Sequence, residues 1–303
     1  MTFRIFSEVL QVEQSLPQQV IDWGVQIVQA PKLWSVTKGE GIKVAVLDTG
    51  IDYRHPDLSP NFKGGINFTT TNPDNCLDRQ GHGTHVAGII AGCDNNIGIV
   101  GVAPKAELYA VKVLGDNGEG SIASLVQGID YAIRQGVDII SMSLGMSQDP
   151  GPQVHEAIKR AREAGIIMVA AAGNEASQCS YPAAYDEVIA VGAIDEALDA
   201  ASFSNFGPQI DVAAPGVNIL STYLNGTYAR LSGTSMATPI VTGVIALIQS
   251  FARKQGFRAT PEKILELIQQ RSVDLGTSGA DEHFGNGLIN VYKMVKQYNL
   301  NPR

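Results

Sequence analysis

Gly233-Thr234-Ser235-Met236-Ala237-Thr238-Pro239 leads into a long apolar run: Ile240, Val241, Val244, Ile245, Ala246, Leu247, Ile248 and Phe251. Apolar residues fall on nearly every side of that run, the pattern of a helix buried inside a domain. Proline costs little only in a helix's first turn, so the helix is expected to begin near Ser235. A serine there sits among backbone N–H groups that lack intrahelical partners, at the positive end of the helix dipole. Such a place stabilises the oxyanion formed when a hydroxyl attacks a carbonyl. A Ser/Thr cap on a core helix accounts for the same residues. The upstream partners decide between the two.

The chain has 303 residues, a net charge of −8 and no block of like charge. That is enough for a substantial core, and it argues against nucleic acid as the main partner. No apolar run reads as long enough to span a bilayer, and no membrane partner is expected. Met1 to Pro17 lacks the apolar stretch of a secretory signal, so the chain reads as cytoplasmic, or as secreted if a signal has been trimmed. Cys76, Cys93 and Cys179 are odd in number and lack metal-type spacing; reduced thiols are the default, with one disulfide left open.

Residues 1–17 look like an extension outside the core, and Gln18 to Trp34 like a segment laid over a surface. Ile42 to Leu47 reads as a buried parallel strand ending at Asp48-Thr49-Gly50. Gly81 to Gly88 reads as a loop becoming a helix with His82 at its start. Further strands are expected at 108–114, 137–143, 166–171, 188–192 and 210–213. Further helices are expected at 121–135, 153–164, 261–270 and 291–296. The alternation implies an α/β fold: a single domain with a mostly parallel β-sheet and helices on both faces.

Asp48, His82 and Ser235 each stand at the end of an element, flanked by small residues. An aspartate can fix a histidine's tautomer, and the histidine can take a proton from a serine hydroxyl. Asp48 as a turn cap and His82 as a helix cap are the structural alternatives. His85 reads as a structural histidine; His55, His155 and His283 read as surface or loop residues.

The blocks Asp48-Thr49-Gly50, His82-Gly83-Thr84-His85-Val86-Ala87-Gly88 and Gly233 to Pro239 resemble the three signature blocks of the subtilisin family of serine proteases, in that family's order. The resemblance runs from about Gln18 to Val291. It implies a serine endopeptidase with Asp48, His82 and Ser235 as the triad and an acyl-enzyme intermediate. Ala170-Ala171-Ala172-Gly173-Asn174 resembles the oxyanion block, with Asn174 donating its amide beside the Ser235 N–H. Ser143-Leu144-Gly145 and Gly118-Glu119-Gly120 resemble the two edges of a cleft in which a peptide pairs as a strand. The pocket walls, Leu144 to Met146 and Ala171 to Gly173, are small or apolar, which favours a large apolar or aromatic residue on the acyl side. The segment Glu175 to Tyr181 is shorter than in several family members, and Ser180 stands where many have Gly.

The resemblance also implies Ca2+ at the loop Cys93-Asp94-Asn95-Asn96-Ile97-Gly98-Ile99. Its ligands would be the side chains of Gln19, Asp57 and Asn95 and the carbonyls of Cys93, Ile97 and Ile99, the oxygen-rich set that calcium prefers. A second cation site of the family uses carbonyls near Ala183, Tyr185 and Val188; here Gln209 replaces one acid while Asp211 remains. The absent signal and the acidic chain look like the intracellular subtilisins. That likeness implies an N-terminal extension, residues 1–17, lying across the active site until removed, and a peptidase domain over 18–303. Ile5-Phe6-Ser7-Glu8 replaces that group's usual leader motif, and Ile240 stands where His is common. The expected partners are protein or peptide substrates, with the chain a monomer or homodimer. A peptide-binding relative without turnover is the alternative within the family. A nucleotide-binding protein is the alternative outside it, and Gly115 to Gly120 does not match a dinucleotide or phosphate fingerprint.

Overall fold

The structure is a computed structural model that describes residues 2–296. In chain order it contains β1 (Thr2–Ile5), β2 (Glu8–Glu13), α1 (Trp23–Ile27), β3 (Lys43–Asp48), β4 (Phe62–Asn67), α2 (His82–Ala91), β5 (Glu107–Lys112) and β6 (Glu119–Ser121). Then follow α3 (Ile122–Gln135), β7 (Ile139–Met142), β8 (Leu144–Gly145), α4 (Pro152–Glu163), β9 (Ile167–Ala171) and β10 (Ile189–Ile194). The last part holds β11 (Val212–Pro215), β12 (Ile219–Thr222), β13 (Tyr228–Ser232), α5 (Thr234–Lys254), α6 (Pro261–Arg271) and α7 (Val291–Val295).

Seven strands form one parallel sheet in the order β11-β10-β9-β7-β3-β5-β4. Successive residues of a strand point to opposite faces. Val44 and Val46 therefore join the core shared with α2 and α5, while Ala45 and Leu47 join the core shared with α3 and α4. Both faces need apolar residues, which is why β3 reads as a continuous apolar run. The chain places β5 on one side of β3 and β7 on the other. The crevice at the carboxyl end of β3, where Asp48 sits, is thus a topological switch point. The helix boundaries have local causes. Ser121 and Ser124 form a reciprocal capping box at the start of α3, and Gly136 closes that helix with φ of 58°. Thr260 caps α6, whose first residue is Pro261.

α5 departs from two expectations. It is 21 residues long with a hydropathy of 1.5, so by length and composition it could cross a membrane. That apolar stretch is wholly buried, so it is the core helix of the fold. Pro239 is the sixth residue of α5, not part of its first turn. A proline there cannot donate to the carbonyl four residues back, which belongs to Ser235. Ser143 Oγ donates to that carbonyl instead, at 2.8 Å.

Three other readings change. Residues 1–17 are not wholly outside the core, since Phe3 is 0% exposed and clusters with Leu114, Leu125 and Leu144. The stretch 18–34 is more than a surface cover, since Val25, Val28, Ala30 and Leu33 are core residues. His55 is buried, with Nε2 donating to Thr227 O at 3.0 Å and Nδ1 accepting from Asp57 N at 3.1 Å. All three cysteines are free and buried; burial pushes the Cys93 thiol up to about 11 and Cys179 up to about 12.

His85 is structural, as its sequence setting suggests. Its Nε2 donates to Ala229 O at 2.9 Å and lies 3.1 Å from Ile219 O. Burial holds its pKa down to about 3. An unfolded histidine titrates near 6.5, so between these values the unfolded chain binds a proton that the folded chain does not. The stabilisation is complete above about pH 6.5 and is lost as pH falls toward 3, by roughly 2–3 kcal/mol at about pH 4.5. His85→Asn is expected to flatten the acid side of a plot of urea midpoint against pH. Superimposable plots for the two proteins would contradict it.

Candidate active site

Asp48 ends β3, and its Oδ1 accepts from His82 Nδ1 at 2.7 Å and from Thr49 N at 2.7 Å. His82 opens α2, which reaches the strand end closely because residue 83 is glycine: a Cβ there would lie 2.1 Å from Gly50 O. Both side chains are buried. The bond to Asp48 fixes the tautomer, leaving His82 Nε2 free to accept a proton.

Ser235 is the second residue of α5. The expected hydroxyl-to-imidazole hydrogen bond is not formed. Ser235 Oγ donates to Ser143 O at 3.0 Å and accepts from Phe6 N at 3.2 Å, while His82 Nε2 has no partner among the described residues. The N-terminal chain threads the cleft beside it.

β1 lies antiparallel between β6 and β8. Phe3 faces Gly120, Arg4 faces both Glu119 and Gly145, Ile5 faces Leu144, and Ile5 N donates to Gly118 O at 3.3 Å. The two expected cleft edges are therefore brought together, with this chain's own residues 2–5 between them. Phe6 is 4% exposed and its ring lies over Gly145, where a Cβ would be 2.5 Å from Phe6 Cε2. The Phe6 carbonyl lies over Gly233: a Cβ on Gly233 would be 2.1 Å from Phe6 O and 2.9 Å from Asn174 Nδ2.

Asn174 is oriented by α5. Its Oδ1 accepts from Thr234 N at 2.9 Å and Thr234 Oγ1 at 2.8 Å, so Nδ2 is the end turned toward Phe6 O. Gly173 N donates to Thr234 Oγ1 at 3.1 Å, and Ala171 is buried within β9. Glu175 accepts from Asn174 N at 3.1 Å and forms an ion pair with Arg4.

Two organising residues escaped sequence reasoning. Asp78 accepts from Thr49 Oγ1, Gln80 N, Gly81 N, Thr84 N and Thr84 Oγ1, tying the Asp48 turn to the start of the His82 helix. Burial raises its pKa. An acid four residues before His82 was the available signal. Asn205 holds the loop after β9, donating to Ala172 O, Gln178 O and Ser180 Oγ and accepting from Glu175 N and Ser177 N. Nothing in its sequence setting marks it.

The residues read as calcium ligands also converge. Gln19 Nε2 lies 2.9 Å from Cys93 O, 3.1 Å from Asn95 Oδ1 and 2.8 Å from Ile97 O. Asp57 Oδ1 accepts from Asn95 Nδ2 at 3.0 Å, and Asp57 Oδ2 accepts from Ile99 N at 3.0 Å and Tyr228 OH at 3.1 Å. Ile99 thus meets Asp57 through its N–H. Among the described residues no group of three or more His, Cys, Asp or Glu side chains could hold a metal. At the second place, Asp211 Oδ2 accepts from Ala190 N at 2.9 Å, Tyr185 O accepts from Val188 N at 3.0 Å, and burial pushes Asp211 up to about 6.

Comparison with known proteins agrees with this geometry. The model of the subtilase family matches residues 39–287. An intracellular serine protease of Paenibacillus polymyxa is 47% identical over 293 residues, 93% of this chain and 88% of the relative. The major intracellular serine protease of Bacillus subtilis (strain 168) is 46% identical over 289 residues, 91% of this chain and 90% of the relative. Subtilisin BL of Lederbergia lenta is 45% identical over 275 residues, 90% of this chain and 98% of the relative. With the parallel sheet, the three signature blocks and the family match in agreement, the chain belongs to the subtilase family of serine proteases.

Proposed function

We propose that this chain is an endopeptidase in which Ser235, His82 and Asp48 act as a catalytic triad. His82 Nε2 takes the proton of Ser235 Oγ as that oxygen adds to the substrate carbonyl. Asn174 Nδ2 and the Ser235 N–H donate to the resulting oxyanion. The imidazolium then protonates the leaving amine, the C–N bond breaks, and an acyl ester remains on Ser235. Water, deprotonated by His82, hydrolyses that ester and returns the enzyme. Asp48 orients the imidazole and stabilises its cation throughout. One observation carries the reading: a peptide lies between β6 and β8 as a strand and runs on to Ser235, where Phe6 N donates to Ser235 Oγ and the Phe6 carbonyl lies against Gly233, in a chain that also pairs Asp48 with His82.

That peptide is residues 1–17, which we read as an extension held in the cleft of a peptidase domain formed by residues 18–303. Phe6 N–H holds Ser235 Oγ on Ser143 O and off the imidazole, so the docked state is a resting state. The Phe6 ring over Gly145 supports a preference for large apolar or aromatic residues on the acyl side, with Ser143, Leu144, Gly145, Gly118, Glu119, Gly120, Ala171 and Gly173 forming the cleft. Relatives named as intracellular proteases support a cytoplasmic location.

A serine-directed phosphonate is expected to label Ser235 as unfolded protein is hydrolysed. Binding of peptides with neither labelling nor hydrolysis would favour a relative without turnover. Asn174→Ala is expected to lower kcat by about a hundred- to a thousandfold with little change in KM. That magnitude was measured in a subtilisin and is carried over. An unchanged kcat would remove Asn174 from the oxyanion site.

Calcium fits the donor set at loop 93–99. Two carbonyls and the Asn95 amide oxygen face one point, a half-turn of the Gln19 amide would bring its oxygen there, and the Asp57 carboxylate adjoins it through Asn95 Nδ2. Gln19, Asp57 and Asn95 would bind by side chain, and Cys93, Ile97 and Ile99 by carbonyl; the ion would stiffen the loop and take no part in the bond-breaking steps. At a hundredfold excess over Kd it is expected to stabilise the fold by about 2.7 kcal/mol, seen as a higher Tm. Asp57→Asn is expected to abolish that rise. A calcium-dependent Tm that survives the substitution would place the ion elsewhere.

A further inference from the structure

Beyond the cleft, β2 runs along β13 as the outer strand of the sheet β12-β13-β2. The pairs are Glu8 with Ser232, Val9 with Leu231, Gln11 with Arg230, Val12 with Ala229 and Glu13 with Tyr228, with the register shifting at Arg230/Leu231. No side chain of β2 is buried, and Val9, Leu10 and Val12 stand 47%, 49% and 47% exposed. What holds β2 is therefore main-chain pairing, helped by Arg230, whose Nε is 3.7 Å from Glu13 Oε1. β13 leads directly into Gly233-Thr234-Ser235, and without β2 its edge is an unpaired row of N–H and C=O groups.

Phe6 N donates to Ser235 Oγ and the Phe6 carbonyl lies against Gly233, so Ser7 and the residues after it follow the stretch nearest Ser235. We propose that β13 is a strand-docking site for the part of a substrate that follows the cleaved bond. Its ligand is an extended polypeptide continuing at least six residues past that bond. Side chains matter little there, apart from an acid that can meet Arg230. A short peptide reaches only Ser232, whereas an unfolded protein segment pairs along the whole edge. The inference rests on the endopeptidase reading of the cleft and deepens it by naming the substrate class: long unfolded chains over short peptides.

Quenched-fluorescence peptides sharing the same residues up to a phenylalanine, with two, four or six residues after it, test this on the full chain. The series is measured once full activity has appeared, when residues 1–17 have left the cleft and the β13 edge, so the ratio between peptides is the readout. Going from two to six following residues is expected to raise kcat/KM by about tenfold. N-methylating the amides from the third following residue onward is expected to return it to the two-residue value. Equal rates across the series, or a gain that survives N-methylation, would overturn the docking site and leave the endopeptidase reading intact. Failure to cleave any peptide, by the full chain and by the Phe3→Ala protein with its weakened N-terminal strand alike, would remove both.

Discussion

Replacing Ser235 by alanine is expected to lower kcat by about a millionfold, to a residue of activity set by the oxyanion donors and binding alone. The figure comes from a subtilisin and is transferred on the strength of the family. The geometry supplies the reason for expecting a loss of that order. Among the described residues His82 Nε2 has no hydrogen-bond partner, so its basicity has no use in the cleft without the Ser235 hydroxyl. The substitution removes one oxygen, and with it the hydrogen bonds to Ser143 O and from Phe6 N. The fold should be unaffected, because the Ser235 carbonyl stays bound by Ser143 Oγ. Steady-state hydrolysis of a peptide, compared at equal Tm, is the measurement. A loss of less than about a hundredfold would mean that another group is the nucleophile. The same variant should keep residues 1–17 attached, since self-cleavage needs the same hydroxyl.

Phe3→Ala is expected to weaken the docking of the N-terminal strand by about 3–5 kcal/mol, roughly a thousandfold. Phe3 is fully buried among Leu114, Leu125 and Leu144, whereas the Arg4–Glu175 ion pair beside it is half-exposed and contributes little. The strand thus depends on its aromatic anchors more than on its charges. In a Ser235→Ala background, hydrogen exchange of the amides in β1 and β2 should speed up by that factor. With Ser235 intact, the lag before full activity should shorten. Unchanged exchange would mean that main-chain pairing alone holds the segment, and the resting-state reading would lose its anchor.

The buried sheet was legible because burial on both faces leaves a plain signature. β3, β5, β7 and β9 are apolar runs, and α3 and α4 carry one apolar face each. β2, β6, β8, β12 and β13 were not legible. β2 and β6 are largely exposed and β8 is two residues long, whereas β12 and β13 are buried; all five are held by pairing with another strand, in part from distant residues. Asp48, His82 and Ser235 each had a capping role as an alternative, and stood out because their three blocks together resemble a family's signature in order. Asp78 and Asn205 did not, because their work is to satisfy backbone groups of loops whose shape no local pattern announces. The bonding of Ser235 Oγ to Ser143 O and Phe6 N, and not to His82, could not be read either, since those partners lie 92 and 229 residues away in sequence.

The place of α5 in the chain has a consequence for synthesis. It packs against α2, β7, β9, β10 and β11, yet it begins only at Thr234. A ribosome that has delivered everything up to Gly233 holds a sheet with one face covered only in part, by α2, and without Ser235, the proposed nucleophile. The hydrolytic centre is therefore completed only when most of the nascent polypeptide has emerged. By then Phe3 and Phe6, among the first residues made, have long been available to fill it.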